Sequence, residues 1–185
     1  DIDPDPFFDF TQERPEQVID EDGERQIQWP ENDFMIIRYP EGARDMIVLN
    51  GVEPHVSWAT FSQCIVEVAR GLGCNLVVSL GAAAEQTPHT RVPLVVGSTT
   101  NEELASRLGL SRPQYQGPTG LAGVMLSALD DAHIPSISLR VGVPHYLMQA
   151  QHPKSAAALL QHLQHVLGIH TNNQNLEDEI KRWKE

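Results

Sequence analysis

The chain has 185 residues, 41% of them hydrophobic, and a formal net charge of −12. That is one domain's worth of chain with enough apolar material for a core, which excludes disorder of the whole. No run of about 18 apolar residues occurs, so no membrane-spanning helix is expected, and the acidic opening DIDPDPFFDF lacks the basic n-region of a signal peptide.

The charge is uneven. Residues 1–53 carry 15 acidic and 4 basic residues, whereas residues 54–170 carry 6 of each. An acidic first third disfavours nucleic acid, whose phosphates need a basic footprint. Cys64 and Cys74 stand at no metal-type spacing and read as two reduced thiols, which points to the cytoplasm. No metal and no cofactor is expected.

Residues 1–26 read as an extended acidic arm anchored by Phe7, Phe8 and Phe10. QIQWP at 26–30 reads as an edge strand stopped by Pro30. FMIIRY (34–39) and MIVLNG (46–51), joined by the turn PEGARD (40–45), predict a hairpin. From Ser57 the period changes: Trp58, Phe61, Ile65, Val68 and Leu72 recur at helical spacing, up to Gly71 or Gly73. LVVSL (76–80) is a continuous apolar strand of the kind covered on both faces, and VPLVVG (92–97) is another. Thr100 with Glu103 suggests a capping box for a short helix ending near Gly109. GPTG (117–120) is a tight loop before the helix LAGVMLSALDDAHI, and SISLRVGVP (136–144) is a fourth core strand. Pro153 opens a helix with the stripe Leu159, Leu160, Leu163, Val166 and Leu167, closed by Gly168. After HTNNQN, the segment LEDEIKRWKE places Leu176, Ile180 and Trp183 on one side. Strands and helices alternate, so an α/β chain with a mostly parallel or mixed sheet is expected.

The phosphate loop, the dinucleotide fingerprint, the HExxH pair and the nucleophile elbow do not occur in this sequence. What remains is a set of loops at strand ends, where open α/β sheets bind ligands. VEPH offers Glu53 and His55, with Glu53 placed to orient the imidazole. PHTR offers His89 and Arg91, whose planar fork suits an anion. GPTG offers Thr119 and Gly120, with backbone N–H groups at a helix start. VPHY offers His145 and Tyr146. The plainer reading makes each of these an ordinary turn or, for Arg91, a partner of Glu85 or of the acidic arm.

The ordered series GVEPHVSW, LGAAAEQTPHTR, GPTGLAGVMLSAL, SISLRVGVPHY and HPKSAAALLQHL resembles the PAC2 family, named for a subunit of a proteasome assembly chaperone, and within it the actinobacterial branch. The resemblance covers residues 1–170. It implies a three-layer α/β/α domain similar to the nucleoside phosphorylase and hydrolase architecture, with residues 171–185 a linker and short amphipathic helix. It also marks Glu53, His55, His89, Arg91, Thr119, Gly120, His145 and Tyr146 as shared features, without a catalytic role for any of them. Relatives begin with an apolar strand, a Gly-Trp-containing loop and a long helix before the acidic segment, so this chain is expected to lack the first βα unit. The implied function is a non-enzymatic assembly chaperone or oligomeric scaffold that forms homo-oligomers, trimers among them, and takes a protein partner. The alternative is a hydrolase or transferase acting on a small anionic or nucleoside-like molecule.

Overall fold

The computed structural model describes residues 1–39, 44–171 and 173–183. Most of the expected PEGARD turn, one residue of the HTNNQN linker and the last two residues of the tail lie outside the described residues. The chain divides into two compact units. The first comprises Asp1–Gly73 and Thr119–Ala128, and the second Cys74–Pro118 and Leu129–Glu185.

In the first unit, β1 (Glu16–Ile19) pairs antiparallel with β2 (Arg25–Gln28), and β3 (Asn32–Ile37) pairs antiparallel with β4 (Met46–Gly51). The β3–β4 hairpin is the expected one. β1 was not expected: EQVI is short and polar, and it becomes a strand because Asp20 organises the turn after it. The Asp20 carboxylate accepts the backbone N–H groups of Asp22 and Glu24 and the side-chain amide of Gln26. Gly51 is required where it stands, because a Cβ there would come within 2.5 Å of the Glu31 carbonyl oxygen. Helix α1 (Trp58–Gly71) follows a left-handed Ser57 and buries Phe61, Ile65, Val66 and Ala69. Burying such a row, about 1.5–3 kcal/mol for each large side chain, outweighs the absence of a side-chain cap at Ser57. Phe61 and Ile65 form a core with Ile2, Phe7 and Phe8. Phe34, Leu49, Val52, Leu121 and Met125 pack around it.

In the second unit a three-stranded sheet runs β5 (Val77–Glu85), β7 (Ser136–Pro144), β6 (Val95–Ser98). β5 lies parallel to β7, and β6 antiparallel to it. The sheet is therefore mixed, as one form of the α/β expectation allowed. β5 is longer than LVVSL suggests. Gly81–Glu85, mostly small residues beyond the expected strand end at Leu80, continue the strand because each finds a ladder partner on β7, out to Glu85 opposite Pro144. β7 is the central strand and buries Ile137, Leu139, Val141 and Val143.

Helix α2 (Glu102–Leu108) is capped by Asn101, whose side chain accepts the Leu104 N–H at 2.9 Å. Thr100, the expected cap, instead donates to Asp130 at 2.8 Å, so the cap is displaced by one residue and, with Leu104 at the third helical position, no reciprocal capping box forms. Helix α3 (Leu121–Asp131) contributes to both units. Helix α4 (Pro153–Leu167) packs on β7 and β6 and ends at left-handed Gly168. Ser155 Oγ donates to the Gly142 carbonyl at 3.2 Å in a buried contact. The α4 leucine stripe is half-buried, not fully buried as its periodicity suggested. Helix α5 (Gln174–Trp183) folds back on α4. Its half-buried residues are Leu176, Ile180 and Trp183, the three expected to dock. Within this chain they pack on α4.

Candidate functional site

The expected loops divide between the units. Glu53, His55, Thr119 and Gly120 belong to the first, and His89, Arg91, His145 and Tyr146 to the second.

In the first unit the loop after β4 clasps the acidic arm. His55 donates its backbone N–H to the Phe7 carbonyl at 2.9 Å, and Val56 donates to the same oxygen at 3.2 Å. The His55 ring accepts the Asp9 N–H on Nδ1 at 3.1 Å and stands edge-on to Phe8, with centroids 5.7 Å apart. Phe7 in turn meets Phe61 edge-on at 5.3 Å. Glu53 is exposed and does not orient the imidazole; that position belongs to Asp9, by its backbone. The Asp9 carboxylate accepts from Gln12 Nε2 and from the Thr11 backbone and hydroxyl. Those bonds, the Gln12 amide first, hold its pKa down at about 2. His55 therefore serves to fix the arm. Thr119 and Gly120 are exposed, and the Gly120 carbonyl accepts the N–H groups of Gly123 and Val124 in the first turn of α3.

In the second unit three expected residues meet. The Tyr146 hydroxyl accepts the His89 backbone N–H at 2.9 Å and lies 3.0 Å from His89 Nδ1. The consistent assignment has the hydroxyl donate to Nδ1 while accepting the backbone proton. His145 meets Tyr146 edge-on at 5.3 Å. Arg91 is exposed, and its backbone N–H closes the turn onto the Pro88 carbonyl at 3.0 Å.

Three further residues join this group. Lys154 Nζ donates to the His89 carbonyl at 2.9 Å and stands 5.5 Å from the centre of the Trp183 ring, a cation–π arrangement. Trp183 meets His89 edge-on at 5.6 Å and His152 at 4.7 Å. His152 is the N-cap of α4, and its Nδ1 accepts the Ser155 N–H at 3.2 Å. The proton of the neutral ring then lies on Nε2, which is buried without a hydrogen-bond partner among the described residues. Burial first, and the Lys154 charge second, hold the His152 pKa below the ordinary 6.5. His152 and Lys154 were legible only as part of HPKSAAALLQHL. Nothing in the sequence joined Trp183 to them. The group offers aromatic faces and one cation, with the imidazoles of His89 and His152 engaged in structural bonds. No cluster of three or more His, Cys, Asp or Glu residues suited to a metal occurs among the described residues.

The PAC2 family model matches residues 1–185. A PAC2 family protein from Streptomyces avermitilis is 35% identical, with a TM-score of 0.93 over 98% of this chain and 77% of that one. A proteasome-assembly chaperone homologue of Mycobacterium tuberculosis is also 35% identical, with a TM-score of 0.87 over the same shares. An archaeal proteasome activator from Pyrococcus furiosus, 17% identical, shares the fold with a TM-score of 0.72 over 91% of this chain and 74% of that one. Among curated proteins, an uncharacterised protein of Methanocaldococcus jannaschii is 31% identical over 181 residues. That match takes in 94% of this chain and 66% of the relative's length.

Proposed function

We propose that this chain, which belongs to the PAC2 family, acts as a non-enzymatic assembly chaperone or oligomeric scaffold that holds protein partners. The observation that carries the reading is the 35% identity to the mycobacterial proteasome-assembly chaperone homologue over 98% of the chain. The exposed apolar side chains support it. Ile19, Ile27, Met35 and Ile36 on strands of the first unit, and Val92, Leu94 and Val96 in and just before β6 of the second, are open to solvent and available to a partner. The acidic first unit suits a protein partner in place of nucleic acid. The three-layer α/β/α arrangement is the architecture we infer for the whole domain, a homo-oligomer is its working form, with a trimer as the expected size, and the cytoplasm is its compartment. No helix among the described residues is long and apolar enough to cross a membrane. The hydrolase or transferase alternative gains nothing from these histidines, since the rings of His55 and His152 accept backbone N–H groups and the ring of His89 meets the Tyr146 hydroxyl.

The test is reconstitution. The protein is added to purified proteasome α and β subunits from the same source, and the formation of core particles is followed by native electrophoresis, with its own mass measured by sedimentation. Faster assembly together with an oligomeric mass supports the reading. A monomer that leaves the assembly rate unchanged overturns it.

A further inference from the structure

Helix α5 is held to the second unit at its far end by one aromatic residue, and that residue is surrounded by groups that change or carry charge. Trp183 lies edge-on to His152 and His89 and under the ammonium of Lys154. Toward the start of α5, Thr171 accepts from the Gln164 side chain of α4 and donates to Asn173. Along α5 itself the half-buried side chains are the stripe Leu176, Ile180 and Trp183. Ten residues with three apolar contacts do not make a helix that persists alone in water, so loss of the Trp183 contact frees the whole segment.

We propose that α5 is a strap latched by Trp183 against neutral His152, and that protonation of His152 opens it. Three features of the geometry make the ring responsive. Nδ1 accepts the Ser155 N–H, and a doubly protonated imidazole has no acceptor to offer there. Nε2 is buried with no hydrogen-bond partner among the described residues, so a charged ring meets no compensating oxygen. The Lys154 ammonium, which stands over the same indole, opposes a second positive charge on the ring. Lys154 on its own helix and His89 on the β5–β6 loop are the charged or titratable groups that face His152. From α5 the neighbour is uncharged Trp183, while Lys181 is engaged with Asp178 and Arg182 is exposed. The sign follows from linkage. The closed strap favours the neutral ring, so the latch is complete above the ordinary imidazole value of 6.5 and is lost as the pH falls below it. Opening uncovers the apolar sides of α4 and α5 together, which makes the strap a pH-dependent cover on an apolar surface.

The experiment uses the full chain labelled with 5-fluorotryptophan. It has three tryptophans, and Trp183→Phe assigns the third fluorine resonance. The spectrum is followed from about pH 8 to about pH 5, the imidazole range. The Trp183 signal is expected to move toward the solvent-exposed position, while the Trp29 and Trp58 signals hold and protease cleavage between residues 168 and 173 rises severalfold. In His152→Asn, whose side chain still accepts the Ser155 N–H but takes no proton, the Trp183 signal is expected to stay where it is at high pH. His89→Asn is expected to leave the wild-type transition in place. A wild-type Trp183 signal that does not move overturns the proposal, whether or not any variant folds. Movement that persists in His152→Asn, or that disappears in His89→Asn, also overturns it.

Discussion

In the first unit His55 takes the Asp9 N–H on Nδ1 and sets its ring edge-on to Phe8. In the second, His152 takes the Ser155 N–H on Nδ1 and sets its ring beside Trp183. Both use a neutral imidazole as a backbone acceptor with an aromatic face alongside, and both pin a peripheral segment, the acidic arm in one case and α5 in the other. They differ in what lies behind the ring. Phe8 and Phe7 are 6% and 4% exposed and belong to a core that includes Phe61 and Ile65. Trp183 is only half-buried, and its other neighbours are the His89 ring and the Lys154 ammonium. The same contact is thus permanent where it is backed by core and releasable where it is backed by charge and solvent.

The difference is broken most directly in the core. Phe61→Ala removes the ring that meets Phe7 at 5.3 Å and is expected to cost about 3–5 kcal/mol, read as a lower urea midpoint. A shift below about 1 kcal/mol would show that the arm does not share that core. Trp183→Ala is expected to cost about 1–2 kcal/mol, the scale of its aromatic contacts, and only locally. Hydrogen exchange should speed up in α5 while the β5–β7 ladder keeps its protection; a change spread over the whole second unit would contradict a releasable strap. His55→Ala leaves the part-buried Asp9 N–H without its acceptor and should cost about 1 kcal/mol, with His55→Asn recovering part of it. Equal losses in the two variants would mean that the ring acts by packing alone. The smallest effect belongs to Asp9. Its carboxylate is held at about 2 in the folded chain against an ordinary 3.8, so its contribution is full above 3.8 and fades as the pH falls toward 2. In Asp9→Asn the acid limb of the stability curve should be flatter in that window, and an unchanged limb would assign acid sensitivity to other carboxylates.

These contrasts also mark what the sequence made legible. The arm was readable because Phe7, Phe8 and Phe10 are the only large apolar group in an acidic stretch, and α1 because Phe61 and Ile65 recur at helical spacing. Gly81–Glu85 were not, since small residues join a strand only when a neighbour offers a register, and the neighbour is β7, far along the chain. The antiparallel direction of β6 leaves no trace in an apolar run. Glu53 stands two residues from His55 in the sequence, but the imidazole is turned to the backbone of Asp9, a contact 46 positions away that no local pattern encodes. His89, His145 and Tyr146 were found as loop residues at strand ends. His152, Lys154 and Trp183 complete their group through tertiary packing of α4 and α5, and the stripe on α5 is the same whichever surface receives it.

The order of the second sheet also bears on how the chain reaches its fold. Hairpin β3–β4 closes between Ile37 and Met46, whereas β5 and β7 first meet where Val77 stands opposite Ser136. That pairing requires closing a loop of about 60 residues before any ladder bond rewards it, so the parallel ladder belongs to the late, slow part of folding. Until β5 and β6 flank it, β7 is a nine-residue apolar segment open on both edges, the kind of segment that pairs with other unfinished chains. Its single charge, Arg140, stands at the centre of SISLRVGVP and remains exposed in the finished sheet. A strand that must wait so long for its neighbours carries its own gatekeeper in the middle.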